Sequence, residues 1–144
     1  MKLITTFVIV AAILIAAGCK GGKTADGGKM ADAGKTIKSA QAGNLTVTLS
    51  SPTGELKNGD NDLMLTFADA SGKPVDVGAA SLNFHMPAMG SMAVMNDQAT
   101  LTTSNTPGMY SAKVTLEVGG TWEAQIKYQG PQGTGQTSMT VTAK

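Results

Sequence analysis

The fold is decided by two neighbouring stretches, residues 110–117 (YSAKVTLE) and residues 121–128 (TWEAQIKY). In both stretches an apolar side chain alternates with a polar or charged one. An alternation of period two is typical of a β-strand that buries one face and exposes the other. We therefore expect two strands here, each with its apolar side chains turned toward a common core.

Five further segments outside these two carry strand-like sequence, and turn-forming Gly, Pro, Asn and Asp residues separate them. No helical periodicity follows the N-terminal segment. Seven short strands in about 100 residues predict an all-β, immunoglobulin-like antiparallel β-sandwich over residues 43–144. The chain has a single cysteine, so the sandwich lacks the disulfide of antibody domains. The five further predicted strands are residues 44–50, 62–68, 79–84, 99–103 and 136–142.

The first eighteen residues have the pattern of an export signal. Lys2 supplies a positive charge, and an almost wholly apolar run follows from Leu3 to Ala17. The run is shorter than the roughly 20 residues of a membrane span. It ends in Ala16-Ala17-Gly18-Cys19, which resembles a bacterial lipobox, although Leu is more usual than Ala at position 16. We expect residues 1–18 to be a lipoprotein signal peptide and Cys19 to be lipidated, with a plain cleaved secretory signal as the alternative.

Residues 19–42 differ in composition from the rest of the chain. They are rich in Gly, Lys, Ala and Asp, and they contain no aromatic residue. Such a segment buries too little apolar surface to offset the entropy of ordering. We therefore expect a flexible tether between a lipid anchor and the sandwich. Lys20 directly after the cysteine favours the outer membrane if the source is Gram-negative, so the predicted location is the cell envelope, facing the periplasm.

Charge divides along the same boundary. The tether carries five lysines against two aspartates, a net charge of +3, and the chain from Gly43 onward carries five lysines against eight carboxylates, a net charge of −3. Arginine is absent. Nucleic-acid binding favours a basic face with clustered Arg or Lys, so we expect no nucleic-acid partner. A mildly acidic domain is compatible with a cationic ligand.

The chain holds one group of residues suited to binding chemistry, the run FHMPAMGSMAVM over residues 84–95. It contains the only histidine and four methionines spaced three apart. Thioether sulfur is a soft ligand that suits Cu(I), and imidazole suits copper as well. We expect a Cu(I) or Ag(I) site formed by Met86, Met89 and Met92, completed by His85 or Met95, with Met109 and Trp122 as possible accessory residues.

Two alternatives remain open for the same run. The methionines could form an apolar patch that docks a partner protein, or they could pack in the core as methionines often do. Their geometry is also open: a continuous strand would separate them onto two faces, and only a coil of about three residues per turn would align all four. If residues 79–86 form a strand, His85 and Met86 face opposite sides and cannot bind one ion. Trp122 itself is more typical of a core residue.

Catalysis finds little support in this sequence. A nucleophile needs a base and an orienting group, and a single histidine without a candidate serine motif supplies no such set. The chain has no zinc spacing of His or Cys and no phosphate-binding glycine loop. We expect a carrier or buffer rather than an enzyme.

The order of several short motifs is similar to that of the YtkA-like domain, a family related to FixH-like proteins. The motifs are Ser51-Pro52, Gly59-Asp60-Asn61, residues 69–75 (DASGKPV), Met86-Pro87-Ala88-Met89, Pro107-Gly108-Met109-Tyr110 and Gly120-Thr121-Trp122. The resemblance covers roughly residues 44–143. It implies a small extracytoplasmic β-sandwich, found as a lipoprotein or beside heavy-metal efflux adaptors and copper-oxidase assembly factors. Those two classes of protein are the expected partners, together with the membrane.

Overall fold

The computed structural model describes residues 34–144, which form nine β-strands. None of these residues forms a helix that could cross a membrane. The signal peptide, Cys19 and the tether up to residue 33 lie outside the described residues. The strands are β1 (Lys35–Ala42), β2 (Leu45–Ser51), β3 (Gly59–Ala68), β4 (Ala79–Met86), β5 (Met95–Gln98), β6 (Thr100–Thr103), β7 (Met109–Leu116), β8 (Gly120–Gly130) and β9 (Gly133–Ala143).

The strands form two antiparallel sheets, one in the order β1-β2-β3-β7-β6 and one in the order β5-β4-β8-β9. Apart from β1, this is the immunoglobulin arrangement: β2-β3-β7-β6 correspond to strands A-B-E-D, and β5-β4-β8-β9 correspond to C′-C-F-G. The expected all-β sandwich is confirmed. The structure adds β1 and β5, two edge strands, to the seven predicted from the sequence.

The predicted boundary between tether and sandwich at residue 42 is wrong, because residues 35–42 form β1. This strand pairs with β2 along its length, with a register shift between Thr36 and Lys38. Its end is tied to the opposite sheet: Tyr128 donates a hydrogen bond to the Ala42 carbonyl at 3.3 Å and Thr137 donates one to the Gln41 carbonyl at 2.8 Å. β1 is held in place by backbone pairing and by these two hydrogen bonds. Its amino-acid composition therefore did not indicate a strand.

The core lies between the two sheets and is built from the apolar positions of the alternating strands. Trp122 is fully buried, and its indole N–H donates to the Val118 carbonyl at 3.1 Å. Phe67 packs edge-to-face against Tyr110 and Tyr128, with ring centroids 5.7 and 5.5 Å apart. Such contacts add to the free energy gained by burying the rings. Residues 35–144 therefore form one folding unit around one core.

The start of β1 and the end of β4 lie at the same end of the sandwich, which we call the proximal end. Gly120 begins β8 here, and a Cβ atom built on it would lie 3.3 Å from the methyl carbon of Met86. A bridge between Leu56 and Ala143 joins the two sheets at this end. The starts of β4 and β7 lie at the opposite, distal end, where the Tyr110 hydroxyl donates to the Gly78 carbonyl at 2.7 Å.

Candidate metal site on the β4–β5 hairpin

The methionine run forms a β-hairpin. Residues 83–86 of β4 pair with residues 95–98 of β5, so that Met86 lies opposite Met95. The same register continues past a gap to an isolated bridge between Met89 and Met92, whose backbones exchange hydrogen bonds of 3.2 and 2.9 Å. Pro87 has no N–H to donate, which accounts for part of the gap. The hairpin reverses at Gly90 and the following serine, with Gly90 at φ +58°.

Antiparallel pairing arranges the four methionines as two pairs. Residues directly opposite each other project to the same face of a sheet, so Met86 is grouped with Met95, and Met89 with Met92. Neither the continuous strand nor the three-residue coil considered from the sequence describes this arrangement. The predicted ligand set of Met86, Met89 and Met92 is therefore split between two parts of the hairpin.

Burial separates the two pairs further. Met86 is 3% exposed and belongs to the core, and Met95 is half-buried against the core. Met89 and Met92 are 54% and 40% exposed. We call residues 87–94 the hairpin tip. Every residue of the tip is exposed, so Met89 and Met92 are the most exposed thioethers of residues 34–144.

His85 lies on the outward face of β4, opposite in direction to Met86, as expected for neighbouring residues of a strand. Its Nδ1 is 2.9 Å from Oδ1 of Asn96, its partner on β5. An amide oxygen only accepts, so with this orientation of the Asn96 amide the Nδ1 of His85 is the donor. On its other side His85 is paired with Glu123 of β8. Asn96 is a contact of the candidate ligand that sequence reasoning missed, because only the hairpin register places it beside His85.

The two accessory candidates do not join the hairpin tip. Met109 is 5% exposed and begins β7 opposite Thr66, at the distal end. Trp122 does lie at the proximal end, one position beyond the last β4–β8 pair and level with Met86. Its indole is fully buried. The structure therefore places Met109 away from the hairpin tip and buries Trp122 in the core.

An acidic cleft lies beside the hairpin, between the edges of the two sheets, with a volume of about 620 Å³. Asp60, Asp62 and Asp97 are among its lining residues, and Oδ2 of Asp97 is buried without a hydrogen-bond partner within residues 34–144. Asp97 pairs with Phe84 and so occupies an inward register position on the edge strand β5. An inward charge on an edge strand discourages further strands from pairing there. Among the described residues no group of three or more His, Cys, Asp or Glu side chains is placed to hold a metal ion.

A comparison of the chain with models of known protein families found a match. The model of the YtkA-like family matches residues 39–127, from β1 to β8, and includes the whole β4–β5 hairpin. The chain belongs to the YtkA-like family. Searches of curated proteins and of solved structures found no match. The resemblance drawn from the short motifs is thus confirmed, and family membership by itself assigns no ligand to the hairpin.

Proposed function

We propose that this YtkA-like protein is a lipid-anchored protein of the cell envelope that binds Cu(I) or Ag(I) at its hairpin tip. It would buffer the ion or carry it to an efflux system or to an oxidase assembly factor. The observation that carries the proposal is the pairing of Met89 and Met92 across a two-residue turn, both exposed. No catalytic step is assigned, because buffering and transfer need only reversible ligation.

Packing does not explain these two methionines. A methionine that fills a core gap is buried, as Met86 is at 3% exposure. Directly opposite residues of an antiparallel pair have Cα atoms roughly 4.5–5.5 Å apart, so the two flexible thioethers can reach one ion between them. Soft, uncharged sulfur ligands favour Cu(I) over harder divalent cations. The pair thus forms a two-coordinate site on a tip that carries no charged residue.

The one histidine of the chain, His85, lies on the outward face of the hairpin base, opposite Asn96. Four positions separate it from Met89, roughly 13 Å along an extended strand. Met89 and Met92 are therefore the primary ligands, and His85 joins them only if the hairpin bends at Pro87.

The proposed location suits thioether ligands. Exposed thiols are readily lost to disulfides outside the cytoplasm, whereas a thioether does not form disulfides. Cys19 is the only cysteine of the chain, and acylation of its sulfur would leave the mature protein without a free thiol. Acyl chains on Cys19 would hold the protein at the membrane without a spanning segment.

The test is a competition titration of residues 34–144 with Cu(I) against a chelator of known affinity, under anaerobic conditions. Replacing both Met89 and Met92 by Leu removes the sulfurs and keeps the apolar volume. We expect at least a tenfold loss of Cu(I) affinity. The matched control replaces Met64 of β3 and Met139 of β9 by Leu, which should leave the affinity unchanged. An unchanged affinity in the Met89/Met92 variant would overturn the metal site.

A second function has one specific observation in its favour. Val94 is 52% exposed on the tip beside the two methionines, and a valine cannot ligate a metal. An apolar patch of this kind can dock a partner protein of the envelope. The Leu variant separates the two functions, because docking through apolar contact survives a change from Met to Leu and is lost on a change from Met to Ser.

A further inference from the structure

The hairpin tip differs from the rest of the described surface in its apolar character. The three large apolar side chains that residues 34–144 expose are Met89, Met92 and Val94, and all three lie on the tip. None of the eight tip residues is charged. Burying the tip in a less polar environment would therefore desolvate no ionised group.

The tip also lies at the end of the sandwich from which the chain leads back to Cys19. Gly34 precedes β1 at the proximal end, where a Cβ built on it would meet the backbone of Ser51. Fourteen residues, 20–33, lie between Gly34 and Cys19, so at most roughly 50 Å of chain separates the proximal end from the anchor. This part of the sequence carries Lys20, Lys23 and Lys29 against Asp26 and Asp32, a net charge of +1, which gives only a weak attraction to an anionic lipid surface.

We infer that the hairpin tip docks at the boundary between headgroups and acyl chains of the membrane that holds the anchor. The inference rests on the lipid anchor of the proposed function. A short tether leaving the proximal end keeps that end near the bilayer, and the apolar tip then orients the domain with β4 and β5 pointing at the lipid. The thioethers of Met89 and Met92 face the membrane in this orientation, where a membrane-embedded donor or acceptor of the ion can reach them.

The experiment uses the full acylated protein in vesicles of phosphatidylethanolamine and phosphatidylglycerol. With Cys19 acylated, a Ser91→Cys substitution gives a single free thiol on the tip for an environment-sensitive dye. Asn105→Cys, in the exposed turn between β6 and β7 at the distal end, is the matched control. We expect lipids that carry a quencher in the upper acyl chain to quench the Ser91→Cys label at least threefold more than the Asn105→Cys label.

Equal quenching at the two positions would overturn the docking. Val94→Asp, which adds a charge to the tip without touching the core, should lower the quenching of the Ser91→Cys label at least twofold. Energy transfer between labels on separate copies that rises with protein density, without lipid quenching, would show that a second copy covers the tip and would also overturn the inference. Failure of the protein to remain on the vesicles would contradict the anchor itself. Cu(I) titration of residues 34–144 in solution tests the metal site independently of all these outcomes.

Discussion

The base and the tip of the β4–β5 hairpin contain the same residue type at the same spacing, yet they are physically different regions. At the base, Met86 is 3% exposed and packs in the core between the sheets. At the tip, Met89 is 54% exposed and is held by two backbone hydrogen bonds to Met92. The change occurs within three residues, at the point where β4 loses its neighbour β8 and Pro87 interrupts the ladder. A methionine at the base is part of the core, and one at the tip is exposed to solvent.

The largest expected effect follows directly from this contrast in burial. Replacing Met86 by Ala leaves a cavity in the core and should cost about 2–5 kcal/mol of unfolding free energy. Replacing Met89 by Ala should change it by no more than about 0.5 kcal/mol, as is usual for surface positions. Urea unfolding of residues 34–144, followed by the fluorescence of Trp122, measures both. Similar losses in the two variants would show that base and tip are not distinct.

A smaller effect is expected at the other end of β4, where Tyr110 helps to fix the start of the strand. Removing its hydroxyl with Tyr110→Phe loses the hydrogen bond to the Gly78 carbonyl and should cost about 1 kcal/mol. This variant shows whether the base of the hairpin depends on how β4 is held at the distal end. If it does, hydrogen exchange at His85 should speed up in the variant while exchange at the tip stays the same.

The effect of Tyr110 should also depend on pH. Burial, followed by the charge of Asp76, raises the pKa of Tyr110 above its ordinary value of 10.0. Above pH 10 the unfolded chain loses this proton before the folded protein does, so ionisation favours unfolding. The stability advantage of the wild type over Tyr110→Phe should be complete below pH 10 and should shrink as the pH rises through the raised pKa. An advantage that grows with pH in that range would contradict this sign.

The smallest effect is expected for the polar pair on the outward face of the base. The hydrogen bond between His85 and Asn96 is exposed, and cross-strand pairs of this kind contribute roughly 0.2–1 kcal/mol. A double-mutant cycle of His85→Ala and Asn96→Ala, read by urea unfolding, should give a coupling energy in this range. A coupling well above it would mean that the outward face also stabilises the base, and the contrast with Met86 would weaken.

Much of the fold could be predicted from local sequence, because an alternating strand such as residues 121–128 shows in its own side chains which face is buried. β1 and β5 were not predicted, because their own side chains do not show which face is buried. β1 pairs through its backbone with β2, which follows it after a two-residue turn. It is fixed to the second sheet by hydrogen bonds from Tyr128 and Thr137, which are far from it in sequence. β5 is four residues long and is defined by its pairing with β4.

The sequence by itself determined the all-β class, the family resemblance and the concentration of thioethers over residues 84–95, because composition, alternation and spacing are local properties of the chain. Only the tertiary structure decided which methionines are available, since that depends on pairing across the hairpin and on packing against the second sheet. In the folded protein Met86 is buried, whereas Met89 and Met92 are exposed. Met109 lies at the distal end, and the tip lies at the same end as the start of β1. Met89 pairs with Met92 within the hairpin itself, whereas the other outcomes depend on contacts with strands far away in sequence, which spacing along the chain does not encode.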